Sequence, residues 1–384
     1  MFRLLQNLGL ILASTILALL VFELGSRLID GRPVLATTNW VAAELERNTE
    51  TDTARFDPEM GWHPRENLRL KGFTKFRADQ PDLDHVLTTT DSLGLRMNDQ
   101  SLRPAPRGAI LAIGDSFTWG SEVSDHETYP AHLEKILGEP VLNGGYGGWG
   151  LGQMYLRARE LVPKLTPRLL LLTPLSNDAL RTAYRRSGRA FKPYFIIEDG
   201  GLVLQQTPVP RTSSKARDVG AIQSVLGYSY GIMWASKLLG YQEVWVNRNK
   251  LNDKVHSFEE AVRISCLLLD EFIDLGQLHG FELLFGVLYG AGEVKQGKRH
   301  WFSSELLKCA RERGLRVVDT FQQFVREIDI DENRVFELYN RWPDGRLGHM
   351  TPEGNRLVAK ILSGHVQNLT EDLTQGSGLS SSAP

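Results

Sequence analysis

Four short blocks of this 384-residue chain carry groups that could together cleave an ester bond. Ser116, which follows an apolar run at 109–113, supplies a hydroxyl, and His349 supplies an imidazole that can take up the serine proton near neutral pH. The glycine-rich block 142–150 can present backbone N–H groups, and the side-chain amide of Asn177 can donate to developing negative charge. An activated hydroxyl, a base and such donors are what serine hydrolysis requires.

The block around Ser116 is the most informative of the four. Residues 109–113 are uniformly apolar, which is typical of a strand buried on both faces of a sheet, and the run stops at Gly114-Asp115-Ser116. A helix-like segment follows, so the serine is expected at the carboxyl edge of an α/β sheet, where such folds place their ligands. The alternative is an Asx-type turn in which Asp115 and Ser116 only satisfy backbone groups.

The rest of the chain predicts an α/β fold, because apolar strand-like runs alternate with amphipathic helix-like stretches. Strands are expected at 109–114, 140–143, 168–175, 281–289 and 315–320. Helices are expected near 128–138, 151–163, 256–278, 302–313 and 352–367. Thr351-Pro352 marks the start of the last helix, with a hydroxyl cap followed by proline at the first helical position. The predicted architecture is a flavodoxin-like three-layer sandwich with a mostly parallel central sheet.

The block Gly114-Asp115-Ser116-Phe117 resembles the nucleophile block of the SGNH/GDSL hydrolase family, and the other three blocks follow in that family's order. The resemblance implies that Ser116 is the nucleophile and His349 the base. It also implies an oxyanion hole built from the Ser116 amide, the Gly148 amide and the Asn177 side chain. Family members often have a glycine two residues before that asparagine, where this chain has Leu175. The overall layout is similar to membrane-anchored bacterial members.

The acid that would orient His349 departs from the family pattern. Members usually place it two or three residues before the histidine, where this chain has Arg346 and Leu347. Asp344 stands five residues before, and neighbouring glycines could let the loop fold back so that it reaches the imidazole. A serine–histidine dyad and a backbone carbonyl in the orienting role remain the alternatives. Asp344 is the predicted acid.

Composition excludes several other classes of function. The net charge is −2 and no long basic stretch occurs, so nothing indicates nucleic-acid binding. Cys266 and Cys309, the two cysteines, are interpreted as small buried hydrophobic residues rather than as a disulfide or metal pair. No cluster of histidine, cysteine and carboxylate residues has metal-ligand spacing, so neither a metal nor a cofactor is predicted.

The N-terminus has an apolar run at 8–22 that reaches membrane-spanning length if it is extended to 4–24. A signal anchor, a cleaved signal peptide and a buried core helix are the possible interpretations. The anchor is favoured because no small-x-small cleavage site closely follows Phe22. The catalytic domain would then face the periplasm or cell exterior from a bacterial inner membrane.

The predicted domain organisation has four parts: a signal anchor or signal peptide at 1–30, a stalk and accessory segment at 31–108, a hydrolase domain at 109–371 and a disordered tail at 372–384. The hydrolase domain contains an insertion at 184–255. Within it, a β-hairpin turning at Asp199-Gly200 is expected, followed by an aromatic-rich stretch at 228–245. This insertion is interpreted as a lid, a peripheral subdomain or a surface that faces a membrane or partner.

These features predict a serine esterase that removes an O-acyl group from an envelope polysaccharide. The acyl group is expected to be acetyl. The expected partners are an acylated carbohydrate or other small ester, and a membrane bound through the N-terminal helix. An O-acyltransferase acting on a glycan and a non-catalytic envelope scaffold of the same fold are the alternatives.

Overall fold

The computed structural model describes residues 2–46, 51–72, 83–99, 106–187, 190–210, 219–246, 253–343 and 345–378. The chain divides into two compact units. The N-terminal unit comprises Met1–Thr49, Arg186–Phe191 and Arg211–Asp253. The sheet unit comprises Glu50–Arg185, Lys192–Pro210 and Lys254–Pro384. The predicted insertion at 184–255 is therefore shared between the two units.

The strands, in chain order, are β1 (Ala54–Asp57), β2 (Gly61–Pro64), β3 (Arg69–Lys71), β4 (Leu87–Thr89), β5 (Ile110–Gly114), β6 (Val141–Asn143), β7 (Leu169–Thr173), β8 (Arg186–Ser187), β9 (Ala190–Phe191), β10 (Tyr194–Glu198), β11 (Gly201–Gln205), β12 (Glu282–Val287), β13 (Arg316–Asp319), β14 (Tyr339–Arg341) and β15 (Leu347–Met350). The helices are α1 (Phe2–Ile29), α2 (Trp40–Glu46), α3 (Ser116–Trp119), α4 (Tyr129–Leu137), α5 (Leu151–Leu165), α6 (Asp178–Arg181), α7 (Ala221–Leu226), α8 (Tyr230–Leu238), α9 (Gln242–Trp245), α10 (Phe258–His279), α11 (Ala291–Lys295), α12 (Trp301–Glu312), α13 (Phe321–Ile330), α14 (Arg334–Leu338) and α15 (Pro352–Gly378), with a 3₁₀ turn at Asp125–Glu127.

A five-stranded sheet in the order β13-β12-β7-β5-β6 organises the sheet unit, and all neighbouring strands are parallel. In chain order this is 2-1-3-4-5, the flavodoxin-like arrangement, and the strand order reverses between β5 and β7. Helices cover both faces, with α4 packed on α15, and α10 packed on α5 and α12. The predicted fold class is confirmed, since each expected strand is present within two residues.

The two cysteines correct the sequence interpretation. Cys266 on α10 and Cys309 on α12 form a disulfide. The packing of these two helices brings the Cα atoms to 5.9 Å, within the range that a disulfide requires. Because 43 residues separate them in sequence, only the packing of the helices makes them neighbours.

The predicted hairpin in the insertion is confirmed. Strands β10 and β11 pair in antiparallel register around Asp199 and Gly200, both of which have positive φ, as a tight hairpin turn needs. Phe195 from this hairpin is buried and packs edge-on against Tyr155 of α5. The hairpin thus belongs to the sheet unit.

The predicted stalk and accessory segment, 31–108, is divided between the units: residues 31–49 belong to the N-terminal unit, and residues 50–108 belong to the sheet unit. In the sheet unit the segment forms two antiparallel strand pairs, β1 with β2 and β3 with β4. At the other end of this unit, α15 continues to Gly378, past the start of the tail that was expected to be disordered; residues 379–384 lie outside the described part of the chain.

The N-terminal unit contains one described helix that is long and apolar enough to cross a membrane, Gln6–Ile29, with a mean hydropathy of 2.2. Its most apolar 18-residue stretch is not buried. Length and composition alone support this span.

The presence of an acidic residue, Glu23, in this apolar helix is explained by its hydrogen bonds. The Glu23 carboxylate accepts hydrogen bonds from the Ser229 hydroxyl and from the amides of Tyr230 and Gly231, at the start of α8. Glu23 therefore caps α8.

Candidate active site

Ser116 lies at the carboxyl end of β5, next to the point where the strand order of the sheet reverses. The Asp115 carboxylate accepts the Phe117 amide at 2.8 Å and so caps α3, whose first residue is the serine. The turn is tight: a Cβ on Gly114 would lie 2.0 Å from Oγ1 of Thr118, which only glycine avoids. This local structure fixes the Ser116 hydroxyl at the sheet edge.

His349 reaches the serine from the other end of the chain. Its Nε2 lies 3.0 Å from Ser116 Oγ, across 233 residues of sequence. The histidine belongs to β15, directly before α15, and the Thr351 hydroxyl caps that helix by accepting the Gly354 amide. As the sequence predicted, the helix begins at Pro352. The structure therefore brings together the predicted nucleophile and base.

The group at the other ring nitrogen of His349 is Glu122, a residue that sequence reasoning missed. Glu122 Oε1 lies 2.8 Å from His349 Nδ1, and the Glu122 side chain is only 7% exposed. The same carboxylate accepts the Trp342 indole N–H at 3.2 Å and the His349 backbone amide at 3.2 Å. Because an ionised carboxylate only accepts, Nδ1 carries the proton and Nε2 is left to accept from Ser116.

Asp344, the predicted acid, lies outside the described residues, and its assignment stays a prediction.

Glu122 follows the nucleophile by six residues, on the loop after α3, where its backbone has a positive φ of 73°. The room for its carboxylate comes from Gly348, since a Cβ there would lie 2.7 Å from Glu122 Oε2. In the sequence, the only signal for another acid was the absence of one at the family's usual positions before His349.

The glycine-rich loop after β6 passes beside the nucleophile. A Cβ on Gly147 would lie 3.9 Å from the Ser116 Cβ, and Gly148 has a positive φ of 77°. Neither the Gly148 amide nor the Ser116 amide donates a hydrogen bond to any part of the chain that the structure describes. Both N–H groups are therefore available to an oxygen atom bound at this edge.

Asn177 follows β7, the strand next to β5, and occupies the N-cap position of α6. Its side chain makes no capping hydrogen bond and is exposed, which argues against a purely capping role. The preceding Ser176, whose side chain is buried, donates to Glu293 Oε2 at 2.6 Å and holds this loop in place. The amide of Asn177 is thus free to donate into the same edge of the sheet.

A buried charged cluster lies behind these loops. Arg181 Nη1 bridges two fully buried carboxylates, at 3.1 Å from Asp115 Oδ2 and 2.6 Å from Asp178 Oδ1. Burial raises the pKa of Asp178. Lys192 Nζ donates to the Arg181 carbonyl, and burial lowers the pKa of Lys192 to about 7. Asp115 and Asp178 both accept loop amides, from Phe117 and Leu175, as expected for residues that fix loops.

Within the described ranges no group of three or more histidine, cysteine, aspartate or glutamate residues could hold a metal ion.

No protein-family model matches this chain, and no curated protein matches it either. Among solved structures, similarity is found to an acetyl xylan esterase, at 14% identity over 67% of this chain and 98% of that chain, with a TM-score of 0.38. An acetylxylan esterase from Geobacillus stearothermophilus is 12% identical over 68% of this chain and 94% of that one, with a TM-score of 0.37. A G-D-S-L family lipolytic protein from Desulfitobacterium hafniense is 15% identical over 67% and 98%, with a TM-score of 0.34. Similarities this distant transfer no activity or residue role to this chain.

Proposed function

We propose that this protein is a serine ester hydrolase whose catalytic triad is Ser116, His349 and Glu122. One observation carries the proposal: an unbroken hydrogen-bonded chain from Ser116 Oγ through both nitrogens of His349 to the Glu122 carboxylate, with links of 3.0 and 2.8 Å. Nucleophile, base and orienting acid in such a chain are recognised by their geometry, whatever their order in sequence.

In the proposed reaction, His349 Nε2 takes the Ser116 proton as Oγ attacks the ester carbonyl carbon. The imidazolium that forms is stabilised by Glu122, and the negative charge on the carbonyl oxygen by the oxyanion donors. Collapse of the tetrahedral intermediate expels the alcohol, which takes the proton from His349, and leaves an acyl group on Ser116. Water then attacks this acyl-enzyme with the same histidine as base, and the acid is released.

We assign the oxyanion hole to the backbone amides of Ser116 and Gly148 and the side-chain amide of Asn177. The support is that all three are free to donate and lie on adjoining loops at one edge of the sheet. Preorganised donors of this kind stabilise a developing oxyanion at no cost of reorganisation.

The proposed location is outside the cytoplasm, with α1 as membrane anchor. The hydropathy of Gln6–Ile29 supports the anchor, and the Cys266–Cys309 disulfide supports an oxidising compartment.

We propose O-acetyl esters of envelope polysaccharides as the substrate class, because a membrane-tethered enzyme outside the cytoplasm meets these polymers. Comparing acetate release in water with acetyl transfer to an added glycan separates a hydrolase from an O-acyltransferase.

The test of the nucleophile is covalent labelling. A fluorophosphonate probe followed by peptide mass spectrometry should place the adduct on Ser116, and Ser116→Ala should lose both labelling and nearly all hydrolysis of an aryl acetate. Subtilisin-type triads lose about 10⁶-fold in kcat on removal of the serine. Ser304→Ala, at an exposed serine on α12, is the matched control. An adduct elsewhere, or an active Ser116→Ala variant, would refute the proposal.

A further inference from the structure

We infer that the accessory segment at 51–99 is part of the catalytic machinery, because Trp62 and Arg96 are positioning residues for the two loops that complete the site. This inference rests on the proposed function. Trp62 holds the oxyanion loop, defined as 144–150, and Arg96 holds the acid loop, defined as 119–123, which carries Glu122. The start of the oxyanion loop is held by its backbone, since the Gly144 and Tyr146 amides donate to the Ala112 and Gly114 carbonyls of β5. Within the described chain, the amides of Gly147 and Gly148 make no such backbone bond, so the peptide that joins these two residues depends on side chains.

Trp62 acts on the peptide that would supply the Gly148 amide. Its indole N–H donates to the Gly147 carbonyl at 3.0 Å, and its side chain is buried. In a trans peptide the C=O and the following N–H point in opposite directions. Holding the Gly147 carbonyl on Trp62 therefore directs the Gly148 N–H away from the accessory segment. A hydrogen bond to the carbonyl also polarises the peptide and strengthens its N–H as a donor.

Three further hydrogen bonds join the β1–β2 hairpin to the same loop and the start of α5. The Tyr146 hydroxyl lies 2.8 Å from Thr53 Oγ1, and the Trp149 indole donates to the Trp62 carbonyl at 3.4 Å. The Gln153 side chain donates to the Met60 carbonyl at 2.8 Å. The hairpin is thus fastened along the oxyanion loop, and Trp62 is the member of the set that reaches the peptide preceding Gly148.

Arg96 does the corresponding work on the acid loop. It is almost fully buried, and its guanidinium donates to the carbonyls of Trp119, Gly120 and Val123 at 2.5–2.7 Å. These carbonyls lie on both sides of Glu122. The Arg96 Nε donates to Asp125 Oδ1 at 2.9 Å, which supplies the countercharge that a buried arginine needs.

The ammonium group of a lysine cannot replace the planar guanidinium of Arg96. A guanidinium presents five donors in a fixed plane, whereas lysine is a compact charge with three rotatable donors. The positive φ at Glu122 is a conformation that non-glycine residues adopt only when the surroundings enforce it. Three carbonyl contacts from one rigid side chain provide that enforcement, and they hold the Glu122 carboxylate at His349 Nδ1.

The experiment compares Trp62→Phe and Arg96→Lys with Arg55→Gln in the full-length protein. Arg55 is the matched control because it lies in the same hairpin and pairs with Asp57 and Glu66, away from both loops. Amide hydrogen exchange is measured without substrate, and kcat and KM are measured on an aryl acetate.

Exchange is expected to accelerate at least tenfold in 144–150 for Trp62→Phe only, and in 119–123 for Arg96→Lys only. In both variants kcat should fall roughly 10- to 100-fold with KM within about twofold, since small displacements of catalytic groups cost this much. Arg55→Gln should change neither loop nor kcat.

Two results would overturn the inference: unchanged loop exchange in Trp62→Phe, or faster exchange with unchanged kcat. If Arg96→Lys does not fold, Trp62→Phe alone decides. A wild-type protein that neither hydrolyses esters nor reacts with a fluorophosphonate would instead refute the proposed function, and loop exchange would still decide whether Trp62 and Arg96 hold the loops.

Discussion

The candidate site has two regions that are held in place by different means. Ser116, Asn177 and His349 stand where strands meet helices, so the sheet ladder and the helix caps fix their backbones. Glu122 and Gly148 stand on loops, and side chains from a distant part of the chain fix theirs. We therefore expect catalysis to be impaired in the first region mainly by substitutions of its own residues. In the second region, substitutions of residues outside the site should impair catalysis as well.

The largest effect is predicted for Glu122, the acid in the region of the site that is carried on loops. Glu122→Gln should lower kcat on the order of 10³- to 10⁴-fold, because a neutral amide neither enforces the reactive tautomer nor stabilises the imidazolium; replacing the triad aspartate of a serine protease by asparagine has an effect of about this size. Steady-state kinetics on an aryl acetate measure this loss.

The matched variant is Asp344→Asn, and its kcat should stay within about threefold of wild type, since Glu122 already occupies His349 Nδ1. The reverse ranking of the two variants would restore Asp344 as the acid and remove Glu122 from the triad.

The next prediction concerns the region of the site at the strand ends, and it compares two asparagines, Asn177 and Asn143. Asn177→Ala should lower kcat by roughly 10²- to 10³-fold, the usual cost of losing one oxyanion donor. Because this side chain is exposed and makes no cap bond, the free energy of unfolding should change by less than about 0.5 kcal/mol. Kinetics and denaturant unfolding are measured on the same preparations.

Asn143→Ala is the contrasting variant. Its fully buried side chain donates to the Thr118 carbonyl at 2.8 Å and accepts the Gly145 amide. Removing it should cost roughly 1–3 kcal/mol of stability, because buried polar groups lose their partners. An Asn177→Ala variant that unfolds as readily as Asn143→Ala would show that Asn177 has a structural role.

The smallest effect on turnover is expected for Lys192→Met, which tests the buried cluster behind the strand ends. The folded-state pKa of Lys192, about 7, lies below the ordinary lysine value because of burial. Between about pH 7 and 10 the unfolded chain therefore binds more protons, and this lysine makes stability rise with pH. Below pH 7 both states are protonated and the full cost of burying the charge is present.

The methionine variant should accordingly be more stable than wild type at pH 6, by an amount on the order of a few kcal/mol. This advantage should shrink as the pH approaches 10. Urea unfolding of both proteins across pH 6–10 measures it. A difference in stability that does not depend on pH would mean that Lys192 is not buried as a titrating group.

Much of the fold and of the strand-end chemistry could be predicted from the sequence, because both depend on local patterns. Apolar runs identified the five strands, and Gly114-Asp115-Ser116, Asn177 and His349 all stand at positions that short motifs mark. The Asp199-Gly200 turn and the start of α15 were likewise visible, since turn and capping preferences operate over a few residues.

Three features required the tertiary structure. Glu122 reaches His349 only through the path of a loop with positive φ, the Cys266–Cys309 disulfide depends on how α10 packs on α12, and Trp62 and Arg96 meet their loops across long stretches of chain. The sequence by itself determined which residues could carry chemistry and which strands present them. The tertiary structure decided which acid orients the histidine and what holds the loops, because such contacts depend on chain packing and leave no fixed spacing in sequence.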